Sequence, residues 1–377
     1  MMRLSGICLL LALLTGCSAK PMWPTTSNNP APVLAHPDFA ATLEREDIGR
    51  SSGFRIAIMG DQRALADGEF QALAREIARR EDTLAGVPPL VAIIDSGDIV
   101  ENGKYADQFA MLAEILTPLR HWPWLVAAGN HELDNSIDPQ ARTNFVQFMG
   151  EVPGPFFAPR RLWYRKNIPG ARILFLDSND WVYGPSDDQS VHNTDQLAWL
   201  SAQMAEDFDG RTIVVMHHPI LSSSKKHRGM ALRMWKIQWS DDLLAEMFLN
   251  GGVDLVVVGH THSYERYRLT DPEGRSLQLV NISGRPRPGF LWFGAGPRRA
   301  KDIRGQEMEY FARLGWPPEQ LAGWTIEQLE AMSDEDTEAN QWGELTVGPE
   351  GRFDLEMFYL VDHGEGGIRS GGVTAID

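Results

Sequence analysis

The sequence predicts an α/β fold, mixed sheets with helices packed outside them, on three observations. Apolar runs of strand length alternate with segments of helical periodicity from Phe54 to Val258. Beyond that point the apolar runs follow one another in strand-like pairs, as in a meander. Asp, Asn and His stand just past the ends of several runs, where open α/β sheets gather the groups that bind ligands.

Each element follows from its local pattern. Phe54 to Met59 is a nearly continuous apolar run, as expected of a strand buried on both faces. Phe70, Leu73, Ala74, Ile77 and Ala78 recur at three- and four-residue spacing and predict a helix. Leu90 to Ile94 is a second strand, and Phe109, Leu112, Ala113, Ile115 and Leu116 mark a second helix. Trp124 to Ala127 and Arg172 to Leu176 are strands. Asp195-Gln196-Leu197-Ala198-Trp199-Leu200, with Met204 and Phe208, is a helix, followed by the strand Thr212 to Met216. Asp242 to Leu249 is a helix stopped by Asn250-Gly251-Gly252, and Asp254 to Val258 is a strand. The later strands are Leu277 to Ile282, Gly289 to Phe293, Glu344 to Val347 and Phe353 to Leu360. Insertions are expected near 222–240 and 297–342. The second contains Ser333-Asp334-Glu335-Asp336-Thr337-Glu338, a solvated surface or a lid.

A chain of 377 residues with 43% hydrophobic and 23% charged residues has the composition of a soluble globular protein. Its net charge of −16 argues against a surface for duplex nucleic acid or anionic lipid, which recruit Lys and Arg. It leaves room for a small phosphorylated substrate, because a bound metal supplies local positive charge.

The N-terminus divides the chain further. Met1-Met2-Arg3 is a short basic start, and Leu4 to Leu14 is too short an apolar stretch to span a bilayer. Leu14-Thr15-Gly16-Cys17 resembles the bacterial lipobox, which implies a signal peptide over 1–16 and lipid on Cys17. The alternative is an ordinary cleaved signal with an incidental cysteine. Ser18 in place of Asp leans towards an exported cell-envelope lipoprotein of the outer membrane, facing the periplasm. Residues 17–50, rich in Pro, Ser, Thr and Asn, read as a flexible tether, and 51–377 as the domain. Only Cys8 and Cys17 occur, so the domain has no pair to bridge.

Five islands carry chemistry. They are Asp61, Gly97-Asp98, Gly129-Asn130-His131-Glu132, Val215-Met216-His217-His218 and Gly259-His260-Thr261-His262. Taken singly, such residues are turns or satisfied core histidines. Five in succession, each closing an apolar run, offer the oxygen and nitrogen donors of a two-metal hydrolytic site. The glycines before Asp61, Asp98, Asn130 and His260 permit tight turns.

These motifs resemble the calcineurin-like metallophosphoesterase superfamily, and Gly259-His260-Thr261-His262-Ser263-Tyr264-Glu265-Arg266 is similar to its purple acid phosphatase version. The resemblance implies a four-layer α/β/β/α sandwich of two mixed β-sheets. It implies two divalent or trivalent ions, from Fe, Mn, Zn or Co. Asp61, Asp98 and His262 would hold the first ion, and Asp98, Asn130, His217 and His260 the second. His218 would pack beside His217. A water activated by the ion pair would then attack phosphorus, with Asn130 also near the substrate and His131 donating a proton to the leaving oxygen. The implied activity is hydrolysis of phosphate esters, with monoesters preferred. Alternatives are a phosphodiesterase on cyclic nucleotides or lipid headgroups, and a non-catalytic surface lipoprotein that retains the fold. The chain departs from the family in two places. Asp61-Gln62-Arg63 stands where many relatives have Asp-x-His, and Glu101 where purple acid phosphatases supply a tyrosine. Glu101 would ligate the first ion or orient His131. Arg63 would grip substrate phosphate as a fork or form a structural ion pair.

Overall fold

A computed structural model describes residues 53–64, 68–84, 86–134, 138–150, 161–168, 170–183, 189–222, 243–284, 323–331, 340–348, 352–360 and 368–376. The signal peptide, Cys17 and the tether lie outside the described residues. So do the expected strand Gly289 to Phe293, the acidic run and nearly all of the insertion near 222–240.

Two sheets make the framework. In chain order the elements are β1 (Phe54–Met59), α1 (Glu69–Thr83), β2 (Leu90–Asp95), α2 (Ala106–Ile115), β3 (Trp124–Val126), α3 (Pro139–Met149), β4 (Tyr164–Ile168) and β5 (Ala171–Phe175). Then come α4 (Asn179–Val182), α5 (Gln189–Ala205), β6 (Arg211–Val215), α6 (Leu244–Asn250), β7 (Leu255–Val258), β8 (Glu265–Thr270) and β9 (Ser276–Asn281). The last four strands are β10 (Thr325–Ala331), β11 (Gln341–Val347), β12 (Phe353–Leu360) and β13 (Ile368–Ile376). One sheet has the order β13-β12-β11-β1-β2-β3, the other β10-β8-β9-β7-β6-β5-β4. Both are mixed. β1, β2 and β3 are parallel, with Ile58 opposite Ile94, while β11 joins β1 antiparallel. β5, β6, β7 and β9 are parallel, flanked by antiparallel β4 and β8.

Alternation along β6 and β7 explains the layering. Ile213, Val215, Leu255 and Val257 join one core with the six-stranded sheet and the apolar faces of α1 and α2. Val214, Met216, Val256 and Val258 point the other way, into a second core with Leu200 of α5 and Leu244 and Phe248 of α6. Side chains on successive strand positions face opposite sides, so each run is apolar throughout because both of its faces are covered. Helices thus cover the outer faces of two stacked sheets, which is the expected α/β/β/α sandwich. Arg55 is the one charged residue in β1, and its guanidinium meets the Glu344 carboxylate of β11 at 2.5 Å.

The expected insertion at 297–342 is described only at 323–331 and 340–342. Part of it is framework: β10 pairs with β8 along the edge of the seven-stranded sheet, and Gln341 and Trp342 open β11. Trp324 and Ile326 are buried in the second core.

Candidate metal centre

Five strand ends deliver the site. β1 runs into Asp61, β2 into Asp98, β3 into Asn130 and His131, β6 into His217, and β7 into His260 and His262. The backbone there is strained. Asp61, Arg63, Asp98, His260 and His262 have φ of 60°, 49°, 59°, 68° and 52°, a region that costs a side-chain-bearing residue roughly 1–2 kcal/mol. Such conformations persist where the surroundings over-determine them, and they cluster at functional sites. Glycine is needed beside them in two places. Gly97 takes φ 102°, and a Cβ on Gly129 would come within 2.3 Å of the Asp98 nitrogen.

Hydrogen-bond logic at His217 makes the case for a cation. Its Nδ1 lies 2.9 Å from the Ser96 carbonyl, which can only accept, so Nδ1 carries the hydrogen. Burial pushes the imidazole below its ordinary value despite the Asp98 charge, which keeps the ring neutral near pH 7. Nε2 therefore presents a lone pair. It faces Asn130 Oδ1 at 3.0 Å, Asp98 Oδ1 at 3.3 Å and His260 Nδ1 at 3.0 Å. Asn130 Oδ1 is also 2.9 Å from His260 Nδ1. The contacts of His217 Nε2 with the Asn130 and Asp98 oxygens set lone pair against lone pair, which repel unless a cation sits among them. Donors bound to one metal at about 2.0–2.2 Å are spaced by roughly 3 Å, which is the spacing found here. The residues expected to hold the second ion fit one.

Asp61 adds a buried carboxylate to the same cavity. Its Oδ2 accepts the His260 N–H at 2.7 Å, while Oδ1 has no hydrogen-bond partner among the described residues. Burial first, and the Asp98 charge second, push it well above the usual carboxylate range. Asp98 goes the other way. Burial raises it, but the adjacent His217 and His131 imidazoles and the Arg63 guanidinium outweigh burial and hold it below its ordinary value. Asp61, Asp98 and His217 offer ligand atoms within 4.8 Å of one another, and so do His217, His218 and His260. His218 is thus part of the donor cluster as well as a neighbour of His217, its Nδ1 lying 2.9 Å from Ser178 Oγ.

His262, Arg63 and Glu101 meet beside Asp98. His262 Nε2 lies 3.3 Å from Arg63 Nη2 and is absent from both of those donor groups. Arg63 forms an ion pair: Nη1 donates to Glu101 Oε2 at 2.9 Å, and Nη2 lies 3.3 Å from Asp98 Oδ2. The Glu101 carboxylate therefore reaches Arg63 instead of His131. Orientation of His131 falls to the Glu101 carbonyl, 2.5 Å from His131 Nδ1. That contact places a hydrogen on Nδ1 and leaves Nε2 at the rim, 3.8 Å from Asp98 Oδ2.

Sequence reasoning gave Glu132 no role, yet it fastens the site. The side chain is fully buried and accepts the N–H groups of Asp98 at 2.8 Å, Gly129 at 2.7 Å and Val100 at 3.1 Å. Burial and then the Asp98 charge push it up to about 8, against the pull of those donors. The one signal available was a carboxylate placed directly after Gly-Asn-His in a buried turn.

Comparison with known proteins agrees with this geometry. A family model described as calcineurin-like phosphoesterase matches residues 54–264. A phosphoenolpyruvate phosphatase of Allium cepa is 30% identical over 179 residues, covering 45% of this chain and 34% of that protein. The matching region is thus about a third of the length of that relative. A purple acid phosphatase structure, PPD1 of yellow lupin (Lupinus luteus), superposes with a TM-score of 0.54 at 17% identity, covering 85% of this chain and 53% of the lupin one. The Plasmodium protein GAP50, the anchor in the inner membrane complex, superposes with a TM-score of 0.54 at 13% identity over 87% of this chain and 89% of its own. At those identities the two structures share the fold.

Proposed function

The chain belongs to the calcineurin-like phosphoesterase family, and from that premise we propose that it is a metal-dependent hydrolase of small phosphate esters, monoesters before diesters. The observation that carries the proposal is the convergence of Asp98, Asn130, His217 and His260 donors at 2.9–3.3 Å beside a buried Asp61 and a rim histidine. Ions bound there supply Lewis acidity, activating water and drawing charge off the phosphate oxygens, and mixed oxygen and nitrogen donors suit Fe, Mn, Zn or Co. Asp98 looks towards both implied ion positions and fixes the loop of His131 by accepting its N–H at 3.0 Å. His131 can hand over only the Nε2 proton, because Nδ1 is committed to the Glu101 carbonyl. A proton donor so placed at a departing alkoxide is worth roughly 10²–10⁴-fold. Asn130 fills two roles, a donor to the ion and a neighbour of the ester. The test compares an aryl phosphate with a bis-aryl phosphate. The monoester should turn over faster, and a strong preference for the diester would transfer the reading to cyclic nucleotides or lipid headgroups.

A second reading, a binding module without turnover, is favoured by Arg63 and by GAP50, an anchor built on the same fold. It requires that neither ester be hydrolysed in any divalent ion.

We also propose export and attachment through lipid on Cys17 to the outer membrane, facing the periplasm, on the strength of residues 1–17. Among the described residues no helix is long and apolar enough to cross a membrane. Cys17→Ser should move the protein from the membrane to the soluble fraction, and unchanged sedimentation with membranes would reject the anchor.

A further inference from the structure

The two ion positions implied by the fold are not built alike. Around His217 four uncharged or anionic donors face one another, and among the described residues no cation lies between them. Between Asp98 and His262 there is one. The Arg63 guanidinium puts Nη2 at 3.3 Å from Asp98 Oδ2 and at 3.3 Å from His262 Nε2, with Nη1 on Glu101 Oε2 at 2.9 Å. Arg63 is almost fully buried, at 6% exposure, so little water is available to screen its charge. Its backbone is held in the left-handed region and donates to the Asp98 carbonyl at 3.0 Å, which fixes the start of the side chain over the pocket. A guanidinium cannot lose its proton in a protein, so it cannot step aside by titrating.

We infer that Arg63 is the resident counter-cation of the first ion position, so that the two ions bind unequally: one enters tightly among Asp98, Asn130, His217 and His260, and the other enters between Asp61, Asp98 and His262 only by displacing the guanidinium. The inference rests on the phosphoesterase reading, since it concerns the same site. It assigns Glu101 a role that neither ligation nor orientation of His131 gives it. The Glu101 carboxylate, at the rim with 34% exposure, is the hold that keeps Arg63 turned inward. Any ion in the first position competes with two charge-assisted contacts of the guanidinium, from Asp98 and from Glu101.

The test is a calorimetric titration of the metal-stripped protein with Mn²⁺, repeated on Arg63→Gly and Glu101→Gln. Glycine is the variant of choice at position 63 because it relieves the positive φ while removing the cation. The wild type should bind one equivalent tightly and a second at least about tenfold more weakly, the scale of one charged hydrogen bond. Arg63→Gly should bring the second equivalent close to the first. Glu101→Gln should strengthen the second equivalent by a few-fold while leaving the first unchanged, and it keeps the test alive if the glycine variant fails to fold. Two equally tight equivalents in the wild type, or the same gap in both variants, would overturn the inference and leave the phosphoesterase reading standing. No bound Mn²⁺ in any of the three proteins would overturn both.

Discussion

Asp98→Asn should lower kcat/KM by about a thousandfold, about 4 kcal/mol of transition-state stabilisation, while the protein stays folded. The loss is expected because Asp98 looks towards both implied ion positions. Oδ1 looks at His217 Nε2, Oδ2 looks at Arg63 and His131, and the loop of His131 hangs from its carboxylate. Asparagine removes the charge and can turn an N–H₂ towards lone pairs where an oxygen is required. The fold should survive because Asp98 sits at φ 59°, and asparagine is among the few side-chain-bearing residues that tolerate this region. Steady-state kinetics on an aryl phosphate, with bound metal counted on the same sample, checks the outcome. Retention of more than about a tenth of the activity would remove Asp98 from the proposed machinery.

Glu132→Ala should cost stability rather than chemistry, about 3–6 kcal/mol. Three backbone N–H groups, of Asp98, Val100 and Gly129, end on this carboxylate in a fully buried environment. Each donor left without a partner costs about 1–3 kcal/mol, and alanine also leaves a cavity. The loss is comparable to the whole stability of many domains, which is about 5–15 kcal/mol. Urea unfolding with and without Mn²⁺ reads it out. A change below about 1 kcal/mol would mean that the two loops hold their shape without the clamp.

Most strands that carry the donors are legible in the sequence because they are covered on both faces. β1, β2, β6 and β7 lie inside their sheets, so their sequences are apolar on both faces and their ends are easily found. The strands that went unread are mostly at the margins. β4 and β10 edge the seven-stranded sheet, and β13 edges the six-stranded one. Tyr164-Arg165-Lys166-Asn167-Ile168 is apolar only at its ends, and Ile368 to Ile376 carries Gly371-Gly372, as suits edges that discourage pairing with another chain. β8 was hidden differently. Tyr267 and Leu269 face the core, but Glu265 and Arg266 are charged and buried, Glu265 being satisfied by Ser222, Tyr267 and Asn281. The helix α3 announced itself through Asp138-Pro139, with the Asp138 carboxylate capping Gln140 and Ala141, a start signal that was present and passed over.

Within the site, residue identities were readable and partnerships were not. Asp, Asn and His at strand ends indicate a metal whatever their exact contacts. That Arg63 would turn to Glu101 and Asp98, and that a carbonyl would hold His131, depends on where loops from different strands meet. Local periodicity carries no information about such meetings.

The split of the donors between the sheets bears on how small a working version of this protein can be. Asp61, Asp98, Asn130 and His131 hang from one β-layer, and His217, His260 and His262 from the other. Each of the two implied ions draws its donors from both layers. Excision, permutation or grafting must therefore keep both layers docked face to face, and the minimal catalytic module spans at least the stretch from Phe54 to His262.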